Sequence, residues 1–203
     1  SRPKQRPHDP ALRPVLTLHE QTRLVKYCLN PEEKHGAYAA IVLLGLVGGV
    51  IPTEISRIST KNIHLSGEHP YVAFLNKGKT EHRKRVVPIV LGVDTCRLWL
   101  ESAVKWANET SASNVGACIG SFVKKLTGNS SLSIYSLRHT FKMNATQAEV
   151  PVMAMNAIAG WTGGYSGSRE MLAYGSAALE GTAQLEYLFK ASVKVHKRLM
   201  ENI

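Results

Sequence analysis

Cysteine is scarce in this chain, and the three present, Cys28, Cys96 and Cys118, are scattered and odd in number. A disulfide framework is therefore not expected, and no pair has the close spacing of metal ligands. Such usage suits a reducing cytoplasm, with no metal or cofactor expected. Long apolar runs are missing too. The longest, Ala39 to Val50, is too short to span a bilayer and is broken by glycines, so it reads as a buried helix and no membrane partner is expected. No secretory signal is visible and no segment repeats. Acidic residues are the third shortage: 15 Asp+Glu face 25 Lys+Arg, for a net charge of +10. That excess favours a polyanionic partner, nucleic acid first, over a basic protein with no such role. Apolar residues make up 44% of the 203 positions, enough for a packed core in one substantial domain.

Ser1 to Pro14 is rich in proline and arginine and lacks apolar periodicity; it reads as an extended arm or linker. Thr17-Leu18-His19-Glu20 has capping-box spacing and predicts a helix to about Cys28. A second helix, about Glu33 to Gly48, is apolar almost throughout and is expected at the centre. Thr53 to Ile58 predicts a shorter one. Tyr71 to Leu75 and Val86 to Val90 are β-rich, with turn-forming Asn76-Lys77-Gly78-Lys79-Thr80 between them, so they read as a hairpin, joined by a short strand near Asn62 to Leu65. Helices are expected at about Asp94 to Asn108, Asn114 to Leu126, Leu137 to Gln147, Val152 to Ala159 and Ala183 to Met200. The last carries Leu185, Leu188, Phe189 and Leu199 at helical spacing. The fold class is α+β, mostly α-helical, with one small antiparallel sheet.

Arg138 and His139 sit side by side at the expected start of a helix. An arginine holds two phosphate oxygens at once and a neighbouring histidine moves a proton; the competing reading is an ordinary pair of salt-bridging residues. Lys77 and Lys79 sit on the hairpin turn, followed by Arg83, Lys84 and Arg85. They suit backbone phosphates, or simply solvent. Trp161 offers one N–H donor and no titrating proton. Tyr174 and Tyr165 are phenols whose ordinary pKa of about 10 requires a nearby base or cation before they attack anything.

Taken together, Tyr135-Ser136-Leu137-Arg138-His139-Thr140-Phe141, Gly78-Lys79-Thr80 through Arg85-Val86-Val87-Pro88-Ile89, Ile158-Ala159-Gly160-Trp161-Thr162-Gly163-Gly164 and Ala173-Tyr174-Gly175 resemble the catalytic domain of the tyrosine recombinase (phage integrase) family. They stand in the family's order, and the resemblance runs from about Leu16 to the C-terminus. It implies a recombinase catalytic-domain fold over residues 15–203, residues 1–14 as a linker remnant, and no upstream core-binding domain in this chain. It also implies metal-free strand cleavage through a 3′-phosphotyrosine, with Tyr174 as nucleophile in preference to Tyr165. Lys79 would be the general acid, with Lys77 as fallback. His139 would assist proton transfer, and Arg138 and Trp161 would stabilise the phosphorane-like charge. Lys77, Arg83, Lys84, Arg85 and Tyr135 would contact DNA. Double-stranded DNA carrying an attachment site is the implied partner, with a monomer in the free state and four protomers assembled on DNA. The helix from Ala183 would dock a neighbour or pack within its own domain.

One position departs from the family. An arginine is expected ahead of the Thr53-Glu54 pair, three residues before Glu54, and here Ile51 stands in its place. Isoleucine donates no hydrogen bond and carries no charge. Arg57 lies six residues on, roughly 240° around a helix, and is not expected to replace it. Loss of one such donor costs on the order of 10²–10³ in rate, or about 10³–10⁵ for a phosphoryl-transfer arginine. The alternative reading is therefore a non-catalytic, DNA-binding relative of the recombinases.

Overall fold

The computed structural model describes residues 14–75, 84–161, 182–201 and 203. Helix α1 (Leu18–Leu29) opens on the expected capping box: Thr17 N–H donates to Glu20 Oε2 at 2.7 Å and Glu20 N–H returns to Thr17 Oγ1 at 3.3 Å. These bonds satisfy amides that a helix start otherwise leaves open. The second helix departs from expectation at its start. Glu33–His35 is a tighter 3-10 turn, and α2 proper runs Gly36–Gly48. It is buried from Ala39 to Gly48 and packs chiefly on α4 (Val93–Glu109) and α6 (Ile134–Gln147). A helix apolar on every side must lie inside, as this one does.

The short α3 (Pro52–Ile55) ends before the expected Ile58. A three-stranded antiparallel sheet follows, in the order β1 (Ile63–His64), β2 (Tyr71–Phe74), β3 (Arg85–Pro88). Ile63 lies opposite Val72, and Phe74 opposite Arg85. The expected strand to Val90 stops at Pro88, which has no N–H for the ladder. Every residue of β2 and β3 is buried, because helices cover the sheet; α7 (Val152–Ala159) and α8 (Ala183–Met200) both touch β3. Helix α5 (Ala112–Thr127) packs on α1 and α3. Leu185, Leu188 and Leu199 of α8 are buried, and Phe189 packs partly buried against the same core. This helix therefore packs its apolar stripe within its own domain, one of the two roles raised for it.

Helix α6 starts at Ile134, earlier than the expected Leu137, which puts Arg138 and His139 in its second turn. The incoming chain is tied to the same helix. Leu16 N–H donates to Thr140 Oγ1 (2.9 Å), Gln21 Nε2 to Leu16 O (2.8 Å), and Asn144 Nδ2 to Gln21 Oε1 (2.8 Å), all buried. No helix among the described residues is long and apolar enough to cross a membrane.

Candidate functional site

A cleft of about 400 Å³ is lined by Ile51, Glu54, Tyr135, Arg138, His139, Lys142, Gly160 and Trp161. Two helix ends and two arginines build it. Helices α2 and α7 both end in left-handed glycines, Gly49 (φ 60°) and Gly160 (φ 67°). Glycine adopts this backbone without the clash a Cβ brings. Each leaves helix-end carbonyls that need donors. Two arginines supply them. Arg138 donates to Gly49 O (2.5 Å) and Ala159 O (2.8 Å). Arg85 donates to Gly48 O (2.7 Å) and to Ile158 O. The two guanidiniums thus bridge the same pair of helix ends, one from α6 and one from β3. Both also benefit from the negative ends of the helix dipoles.

Arg85 corrects an expectation. Read from the basic run as a DNA contact, it is 1% exposed. Its Nε donates to Glu54 Oε1 (3.1 Å) and an Nη to Glu54 Oε2 (2.8 Å). Glu54 Oε2 also accepts Ile51 N–H at 3.0 Å. A guanidinium committed to a carboxylate and two buried carbonyls does not reach a surface phosphate. The physical cause is the strand: β3 is covered on both faces, so Arg85 has no solvent side to turn to.

Around the cleft, Arg138 lies over the Trp161 ring, 4.9 Å from its centroid, and Lys142 Nζ lies 5.7 Å from the same centroid. Trp161 also meets Phe141, with ring centroids 6.3 Å apart. Tyr135 is 50% exposed and also lines two shallow grooves beside the cleft, one with Pro52, Thr53 and Gly116, the other with Pro14, Ser133 and His139. The structure therefore brings together Arg138, His139, Trp161, Tyr135 and Ile51. Lys84 is half-buried and outside the cleft lining. Arg57 is exposed and also outside it; α3 has ended by then, so chain direction rather than helical rotation keeps it away. Tyr174, Tyr165, Lys77, Lys79 and Arg83 lie outside the described residues.

No family model matches the sequence, and no curated protein does. A solved structure does match in shape: an integrase from mycobacterium phage Brujita, with a TM-score of 0.52 and 17% sequence identity. The match covers 96% of this chain and 60% of that one. The fold is integrase-like. At this identity the likeness is one of architecture, a mostly helical body with a small antiparallel sheet. The integrase-like fold closes the cleft from α3, α6 and the end of α7.

Sequence reasoning missed Lys142 and the inward role of Arg85. Lys142 was legible: it stands four residues after Arg138 and three after His139, spacings that place all three on one helix face. The chemistry on offer is anion binding with a proton-transfer group beside it. Of the described lining residues, Arg138 and Lys142 bring full positive charge, and the one carboxylate, Glu54, is matched by Arg85 from behind. No cluster of three or more metal-ligating side chains occurs among the described residues.

Proposed function

We propose that this chain is the catalytic part of a site-specific DNA recombinase, cutting and rejoining strands through a 3′-phosphotyrosine. The observation that supports it most is the cleft itself: Arg138 and His139 of α6 and Trp161, from beyond the end of α7, converge on one concave site of an integrase-like fold. In this reading Tyr174 Oη attacks the scissile phosphorus. A phosphorus–oxygen bond to tyrosine forms and the bond to the 5′ oxygen breaks. His139 takes up the phenolic proton, and Lys79 gives one to the departing 5′ oxygen. Arg138 and the Trp161 indole N–H face the charge that builds on the phosphate. The phosphotyrosine retains the diester's bond energy, so rejoining requires no nucleotide cofactor. Lys77, Arg83, Lys84 and Tyr135 would hold the flanking backbone, and four protomers would join two duplexes.

Ile51 favours a second reading. It forms part of the cleft wall and offers no donor there, which suits a relative that binds DNA and cuts it slowly or not at all. Covalent trapping on a nicked duplex carrying the attachment site separates the two. Under the first reading the chain forms an adduct that Tyr174→Phe abolishes. If only Ile51→Arg forms the adduct, the second reading holds and the cleft is sound but impaired. DNA binding with no adduct from either form would overturn the assignment of Tyr174. Absence of salt-sensitive binding to duplex DNA would remove both readings.

A further inference from the structure

The cleft contains a cation that the recombinase resemblance does not supply. Lys142 projects from the third turn of α6, in line with Arg138 and His139, and its Nζ lies 5.7 Å from the Trp161 centroid. Arg138 lies over that same ring at 4.9 Å. The indole thus carries two cations at its surface, and both line the cleft. Ile51 lines the same cleft with no charge to give. Arg138 has part of its hydrogen-bonding capacity committed to Gly49 O and Ala159 O. The Glu54 carboxylate, which would otherwise compete for Lys142, is held by the buried Arg85. Among the described lining residues, Lys142 is therefore the exposed full charge best placed to meet an anion alongside Arg138.

Building on the recombinase reading, we infer that Lys142 is a phosphate-binding residue of this cleft, meeting the anion together with Arg138 and supplying positive charge where Ile51 supplies none. An ammonium is a compact donor on a flexible stem, so it follows a phosphate oxygen without needing the planar match an arginine requires. A phosphodiester presents unesterified oxygens on different edges. Two cations beside one indole can each meet a different one of these oxygens.

The probe is inorganic phosphate at low ionic strength, followed by the indole N–H resonance of Trp161, assigned with Trp161→Phe. The wild-type chain should show a saturable shift that Arg138→Gln removes. Lys142→Gln should weaken the apparent affinity roughly tenfold or more, the worth of one charge-assisted hydrogen bond, and Lys142→Arg should restore most of it. In an Ile51→Arg background the loss from Lys142→Gln should shrink, because the new guanidinium takes over the same charge. Lys142 is exposed, so its substitutions should leave the fold intact, and a dispersed amide spectrum checks this directly. A Lys142→Gln titration identical to wild type, with Arg138→Gln still silent, would overturn the role of Lys142 and leave the phosphate cleft standing. A wild-type chain with no saturable shift would overturn the cleft reading itself, and this inference with it.

Discussion

Replacing Arg85 with methionine tests the idea that a buried ion pair holds the cleft together. The side chain is 1% exposed and donates to Glu54, Gly48 O and Ile158 O. Methionine fills much of the same volume and provides none of these donors. It leaves the Glu54 carboxylate, only 10% exposed, with one remaining donor among the described residues, the Ile51 amide. Removing one partner of a buried pair costs about 3–5 kcal/mol, most of it the penalty on the charge left behind. For a chain of this length that corresponds to a fall in Tm of about 6–20 °C. Urea unfolding followed by far-ultraviolet circular dichroism measures it, with an unchanged m-value as the sign that both states keep their compactness. Glu54→Leu alone should also be costly. The double variant should lose less than the sum of the two, by about 1–3 kcal/mol of coupling. Additive losses, or a cost for Arg85→Met below about 1 kcal/mol, would mean that the guanidinium is solvated after all. The structural account of the cleft would then fail.

Gly160→Ala should destabilise by on the order of 1–2 kcal/mol from the left-handed backbone alone. A Cβ there would also sit 2.6 Å from Arg85 Cδ, so the loss should be smaller in an Arg85→Ala background, which has no δ atom; equal losses in both would refute the steric part. With a thiol-reactive chromogenic reagent, Cys118 should label in the native protein while Cys28 and Cys96 wait for unfolding. Both of the latter are fully buried, and burial pushes the Cys96 thiol up to about 12 and the Cys28 thiol higher still. Rapid labelling of all three would contradict this. Glu20 gives a pH test. Burial by itself would raise its pKa, but hydrogen bonds from Asn129 and Thr17 outweigh that and hold the carboxyl below its ordinary range. Its contribution is present above the unfolded carboxylate value of about 4.3 and is lost as pH falls through the lower folded value. Urea midpoints should therefore fall less steeply on the acid side for Glu20→Gln than for wild type; parallel curves would show that Glu20 is not a source of acid sensitivity.

Local signals carried well into the structure. Thr17 and Glu20 are three residues apart and cap α1 as their spacing predicts, because a capping box is a contract between near neighbours. The apolar run of α2 could only be interior. The antiparallel pairing of β2 with β3 followed from two β-rich runs around a turn. Reading failed where the deciding partner lies far along the chain. Arg83-Lys84-Arg85 looks like one solvated basic run, yet Arg85 turns inward to Glu54, 31 residues back, and to Ile158, 73 residues ahead. Charge is visible in a sequence; the side of a strand that will be covered is not, when both sides are. The α6 start moved for a smaller reason: Ser133 N–H donates to Ser136 Oγ at 3.0 Å, a serine-to-serine cap weaker in pattern than Thr-to-Glu. At the cleft, the positions of Ile51, Arg138, His139 and Trp161 were legible as ordered motifs. That two arginines from different elements would clamp the same two helix ends was not.

The bonds from Leu16 to Thr140, and from Leu16 through Gln21 to Asn144, couple the segment before α1 directly to α6. Thr140 is the next residue after His139, and Asn144 lies one turn further along the same helix. A tug on residues 14–16 is therefore delivered to α6 itself, rather than absorbed by slack chain. Pro14, at the outer end of this segment, lines the groove beside the cleft together with His139.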